Sequence, residues 1–140
     1  MIVLDTNLLS EPLRRDPEPV VLEWLAHSSE VFALSAVSVG ELLTGVHRLS
    51  IGPRREALSD AIESLLDSFA GAVLNYDEGA ARAHAELKEL CRKAGRPMGV
   101  EDGMIAAICI ANGAALATRN VRDFDGLGID LVNPWDLPAR

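Results

Sequence analysis

At 140 residues the chain suits one domain and is too short for two ordinary ones. With 49% apolar and 24% charged residues, its composition is globular rather than disordered. No apolar run reaches the roughly 20 residues that a membrane helix needs. A formal net charge of −8 argues against a broad basic surface for nucleic acid. It leaves room for a local site in which acids hold a metal and a few arginines hold phosphates, and it suits a basic protein partner.

The chain starts Met1-Ile2-Val3-Leu4-Asp5, without a basic stretch and with an acid at once, so this start is not read as a secretion signal. Ile2-Val3-Leu4 reads as a buried strand. Pro17 and Pro19 open a helical segment with Val20, Val21, Trp24 and Leu25 on one face. Residues 31 to 34 read as a second strand, and from Ser35 to about Leu49 the pattern is helical. Gly52-Pro53 punctuates the chain. Residues 54 to 70 then form a long amphipathic helix with Leu58, Ile62, Leu65, Leu66 and Phe69 turned inward.

Residues 72 to 74 read as strand three. A helix over 78 to 94 closes at Gly95, with Pro97 just beyond. An apolar helix over 101 to 112 ends at Gly113. Residues 115 to 118 and 129 to 132 read as strands four and five, the last stopped by Asn133-Pro134-Trp135. Short, continuously apolar strands that alternate with helices predict an α/β fold with a parallel sheet covered on both faces. Cys91 and Cys109 fall in apolar helical patterns and share no metal-ligand spacing. They are expected to be buried reduced thiols in a cytoplasmic protein.

In an open parallel sheet, ligands bind at the carboxyl ends of the strands. Strand one ends in Asp5-Thr6-Asn7. Strand two leads into the helix that carries Glu41. Asp102 opens the helix before strand four, and Asn120 and Asp123 follow that strand. Strand three ends near Asp77, which an edge position would leave outside the group. Each acid also has a plain structural reading, and for Asp123 it is that of a loop acid. Asp5 suits a cap, Glu41 could close a Ser38-Val39-Gly40-Glu41 capping box, and Glu101 and Asp102 could complement a helix start. Ser35 competes as the true cap, which would free Glu41.

Gathered carboxylates repel: at 4 Å, two unit charges cost about 4 kcal/mol at an effective dielectric of 20. A cation relieves that cost, and oxygen donors without a Cys or His cluster point to Mg2+ or Mn2+. Such an ion activates water and steadies a phosphoryl oxygen, so phosphodiester hydrolysis is the natural chemistry.

The motifs Met1-Ile-Val-Leu-Asp-Thr-Asn7, Leu34-Ser-Ala-Val-Ser-Val-Gly-Glu-Leu-Leu-Thr-Gly45, Val100-Glu-Asp-Gly-Met-Ile-Ala-Ala107 and Ala117-Thr-Arg-Asn-Val-Arg-Asp-Phe124 resemble, in order and separation, the four acidic motifs of the PIN-domain family. Ser10-Glu11-Pro12 and Asn133-Pro-Trp135 most resemble its VapC/FitB toxin branch. The resemblance covers essentially the whole chain and implies a PIN-like α/β/α sandwich with about five parallel strands, as one domain over residues 1 to 140. It implies metal-dependent cleavage of single-stranded RNA that leaves 5′-phosphate and 3′-hydroxyl ends. It implies a homodimer and a cognate antitoxin, with operator DNA met only through that antitoxin.

Position by position, the resemblance makes Asp5 and Asp102 the principal metal ligands, with Glu41 completing the cluster. Asn120 stands where the family often has Asp, and Asp123 is the acid that compensates. Thr6 and Asn7 would orient Asp5. Arg119 reads either as a phosphate contact or as a solvated loop residue.

His27, His47 and His84 read as helix-surface residues. Arg14-Arg15 and Arg54-Arg55 read as solvated charges or as the border of an RNA groove. Lys88, Arg92, Lys93 and Arg96 read as a wet face. Trp24 and Trp135 read as core or interface anchors.

Overall fold

The computed structural model describes residues 1–138. Strand β1 (Ile2–Leu4) is buried throughout and lies at the centre of a five-stranded parallel sheet, in the order β3-β2-β1-β4-β5. β2 is Phe32–Ser35, β3 Val73–Leu74, β4 Ala115–Ala117 and β5 Leu131–Val132. Ile2 sits opposite Phe32 on one side and Ala115 on the other. Side chains alternate between the two faces of a strand, and here both faces are buried. Val3, Ala33 and Leu116 enter one apolar cluster, while Ile2, Leu4, Leu34 and Ala117 enter the other.

Helices α1 (Thr6–Ser10), α2 (Pro19–His27), α3 (Ala36–His47) and α4 (Pro53–Ser68) cover the Ile2/Leu4 face through Leu8, Val21, Leu42 and Ile62. Helices α5 (Glu78–Lys93), α6 (Val100–Ala111) and α7 (Val121–Phe124) cover the other through Leu87, Ile105, Ile108 and Phe124. This is the expected sandwich. The helix ends follow from local chemistry. Pro19 and Pro53 stand in first turns, where a missing N–H costs nothing. Gly95 and Gly113, at φ +65° and +60°, close α5 and α6 in the left-handed region.

The Ser35 hydroxyl accepts the Ser38 N–H at 3.1 Å, so Ser35 caps α3 and Glu41 lies well inside the helix. Asp77 caps α5 by accepting the Ala80 N–H at 2.9 Å. It lies beyond the edge strand β3, as expected. Trp24 packs on Phe32 with ring centroids 5.1 Å apart. Cys91 and Cys109 are buried free thiols, and burial, aided by the charge of Asp5, pushes Cys109 up to about 12.

Two expectations are corrected. His84 is not a surface residue: it is buried between α5 and α6, where Tyr76 Oη lies 2.8 Å from its Nδ1. A helical pattern cannot show that the facing residue is a glycine. A Cβ at Gly103 would come within 2.6 Å of His84 Nε2, so the imidazole fills the space that glycine leaves. Burial, with the charge of Lys88, lowers the pKa of His84. Arg96, for its part, lies past the end of α5 rather than on its face, and donates to the carbonyls of Arg122 and Asp125 at 3.1 and 3.3 Å.

Glu11, in a 3-10 turn over Glu11–Leu13, is 2% exposed. Its Oε1 accepts the Glu18 N–H at 2.9 Å, and Arg14 donates to both carboxylate oxygens at 3.0 and 3.2 Å. Burial alone would raise its pKa, but the Glu18 amide and the Arg14 guanidinium together hold it below the ordinary value.

Two predictions follow from this packing. Gly103→Ala overpacks the α5–α6 contact and is expected to cost about 1–3 kcal/mol in urea unfolding. Because the Glu11 pKa is depressed on folding, its stabilisation is present above the unfolded value and lost as pH falls through the folded one. Glu11→Gln should therefore cost about 1–3 kcal/mol at pH 7. The gap to wild type should close below about pH 4.

Candidate active site

The carboxyl ends of β1, β2 and β4 meet at one rim, because these three strands are neighbours in register at the middle of the sheet. Asp5 follows β1 directly and is 7% exposed. Its Oδ2 accepts the hydroxyl of Thr118, fully buried at the end of β4, at 2.7 Å. Its Oδ1 accepts the Thr6 N–H at 2.8 Å. Asp5 is thus both the cap of α1 and an oriented carboxylate on the rim, so the two sequence readings describe one residue.

Thr6 turns its hydroxyl the other way and donates to Glu41 Oε1 at 2.8 Å. It therefore ties the end of β1 to α3. Thr6 orients Asp5 through its backbone only. Asn7 is exposed and takes no side-chain hydrogen bond to Asp5 among the described residues. Thr118 does the work that the sequence assigned to Asn7. A polar residue that ends a fully apolar strand was the available signal for it.

Asp102 stands in the first turn of α6, whose cap, Gly99, offers no side chain. Its pKa is raised, first by burial and then by the charges of Asp5, Asp123 and Glu101. Glu41 is raised by burial, against the Thr6 hydrogen bond, and then by Glu101 and Asp5. Every charged neighbour that shifts these two groups is an acid. Four predicted residues, Asp5, Glu41, Asp102 and Asp123, are therefore electrostatically one group, and Glu101 joins them.

Asn120 caps α7 without a side-chain bond, and its N–H donates to the Thr118 hydroxyl at 3.0 Å. It brings no charge to the rim and instead fixes the oxygen that holds Asp5. Arg119 lies with its guanidinium carbon 5.3 Å from the centroid of Trp135.

Donor chemistry and charge at this rim fit a hard divalent cation: the donors are oxygens, and among the described residues no cation counts among the groups that shift Glu41 or Asp102. Among the described residues no three acid, His or Cys side chains close on one point.

Residues 2–128 match the model of the PIN domain, a span that holds all five predicted site residues. The plasmid stability protein StbB of Pseudomonas syringae pv. tomato is 41% identical over 97% of this chain and 99% of its own. The VapC ribonuclease Y4jK of Sinorhizobium fredii is 39% identical over the same shares. The crystal structure of FitAcB from Neisseria gonorrhoeae superposes with a TM-score of 0.91 at 37% identity, covering 98% of this chain and 100% of that one. A five-stranded parallel sheet covered on both faces, a matching domain model over residues 2–128 and relatives this similar over nearly their whole length lead to one conclusion: the chain belongs to the PIN-domain family.

Proposed function

We propose that this protein is a metal-dependent endoribonuclease, the toxin of a type II toxin–antitoxin pair, that hydrolyses phosphodiester bonds in single-stranded RNA. The observation that carries the reading is the gathering of acids from separate elements at one rim, where Asp5 after β1 lies near enough to raise both Glu41 on α3 and Asp102 on α6. The name of Y4jK, a VapC ribonuclease, supports the same activity.

Asp5, Asp102 and Glu41 are the residues that would hold Mg2+ or Mn2+. When bound, the ion lowers the pKa of a water and steadies charge on the phosphate. Thr118 and Thr6 hold Asp5 in one orientation, Thr6 holds Glu41 beside it, and Asp123 adds negative charge next to Asp102. The surplus of acid suits a basic antitoxin segment laid over the rim. The functional unit is a homodimer of single PIN domains in the cytoplasm, and it reaches operator DNA through the antitoxin. Among the described residues no helix is long and apolar enough to cross a membrane.

A second reading, a PIN-like module that binds without cutting, draws on Asn120, which leaves the fourth motif one charge short. Purified protein with a mixed RNA pool and Mn2+ separates the two. Wild type is expected to cut, Asp5→Asn and Asp102→Asn to lose cutting altogether, and Thr118→Val to lose about 10–100-fold. Cutting that survives both Asp substitutions would overturn the assignment of these residues.

The raised pKa values of Glu41 and Asp102 give a second test. An acid whose pKa rises on folding favours the fold while protonated, and that contribution disappears as pH climbs through its folded value. The metal-free protein should therefore lose stability as pH rises above the ordinary carboxylate range. Mn2+ competes with those protons, so its stabilisation should grow across the same interval and vanish at acid pH. Melting temperatures from pH 4.5 to 7.5, with and without millimolar Mn2+, read this directly, and no metal shift at pH 7.5 would favour the inert module.

A further inference from the structure

Two clefts open off the acid rim. The smaller, about 380 Å3, lies over α3 and holds Glu41 and Glu101 beside Gly40 and Gly45. The larger, about 510 Å3, runs between the end of α5, the connection through Met98 and the α7 region, with Asp102 and Asp123 in its wall. We propose that the larger cleft seats one nucleotide of the RNA strand, the neighbour of the phosphodiester held at the acids, and that Leu90, Met98 and Leu127 set the base preference there. This inference rests on the ribonuclease reading above and assigns its specificity.

Continuity is the first argument. Asp102 and Asp123 belong both to the rim and to the cleft, so a strand with a phosphate at the acids enters this cleft as it leaves the rim on that side. The volume lies in the range of small-ligand sites, about 300–1,000 Å3. The walls are the second argument. Leu90 is an apolar side chain 47% exposed on α5, and the half-buried Met98 and Leu127 line the same cleft. Flat bases stack on apolar surface, and a thioether adapts to several shapes.

Rigidity is the third argument. Arg96 donates to the carbonyls of Arg122 and Asp125 and so fixes the distance between the two walls. It thereby supplies a preformed gap rather than a loose one. Arg122 lines the same cleft, and its guanidinium makes no ion pair or hydrogen bond among the described residues, which leaves it free for a phosphate at the mouth. The smaller cleft differs. Val37 is its one sizeable apolar side chain, and two glycines with open space at their Cβ positions leave little to stack on. The strand therefore runs with a base-reading side toward Met98 and a backbone-only side toward Gly40.

The test uses a single-stranded RNA pool with randomised sequence, Mn2+ and sequencing of both product ends. Wild type should show a base preference at one position beside the cut. Leu90→Trp, which narrows the cleft from an exposed position, and Met98→Ala, which widens it, should each change that preference by about tenfold. Neighbouring positions should keep theirs. Ile51→Trp, on a 90% exposed residue outside the cleft, should leave all positions as in wild type.

An unchanged preference in both cleft variants, with cutting intact, overturns the inference and leaves the nuclease reading standing. A parallel arm does not depend on cutting. Asp5→Asn protein is photocrosslinked to short single-stranded RNA carrying thiouridine at one position at a time, and the adducts are mapped by mass spectrometry. Crosslinks within residues 90 to 98 or 122 to 127 support the seat. Crosslinks confined to other surfaces, or no RNA bound at all, overturn it. Wild type that cuts no RNA, with or without crosslinks, is the separate failure of the nuclease reading.

Discussion

The hydrogen bond from the Thr118 hydroxyl to Asp5, 2.7 Å long and closed off from solvent, is the contact on which the rest of the site depends. A buried carboxylate without partners would protonate or pull its strand end toward water. Here a hydroxyl from the neighbouring strand satisfies one oxygen and the Thr6 amide the other. The same hydroxyl oxygen accepts the Asn120 N–H. One threonine therefore joins β1, β4 and the start of α7. Thr6 carries the network on to Glu41, so an acid of α3 is referred to the end of β1. The sheet sets which elements meet, and two threonines set how Asp5 and Glu41 face.

The price of this arrangement is repulsion. Asp102 and Glu41 are both raised by burial and by neighbouring acids, which means that the fold holds charge it would rather neutralise. Elsewhere the molecule shows the opposite solution. Glu11 is more deeply buried, yet it is held below its ordinary value because an amide and a guanidinium face it. The two kinds of buried acid separate a structural carboxylate from a functional one. Glu11 faces an amide and a guanidinium of its own chain, whereas the charged groups that shift Glu41 and Asp102 are acids.

Much of this was legible in the sequence, for definite reasons. Continuous apolar strands announce a sheet buried on both faces, and the two clusters that Val3 and Leu4 enter separately confirm that reading. Ser35 and Ser38 both lie where a cap could be, and only the observed bond shows that Ser35 caps α3 and leaves Glu41 free. Helices of one turn, such as α1 and α7, fall below the length at which a period can be seen. Nor does a helical pattern reveal which residue faces a given side chain across an interface. That is why His84 reads as a surface residue in sequence while it fills the space beside Gly103 in the fold. Thr118 is legible as the polar end of strand four, but its bond to Asp5 is not: the partner is 113 residues away, and no local spacing encodes that meeting.

That separation also governs when the rim can exist during synthesis. The first strand is the centre of the sheet, and its second neighbour is made only after α6. A growing chain that ends within α6 carries Asp5, Glu41 and Asp102 but has neither Thr118 to orient Asp5 nor β4 to bury it. Long-range parallel pairing is slow because the loop must close before any contact rewards it. Assembly of the acid rim therefore waits for β4, and a chain on the ribosome that has not yet reached this strand carries the acids without the site.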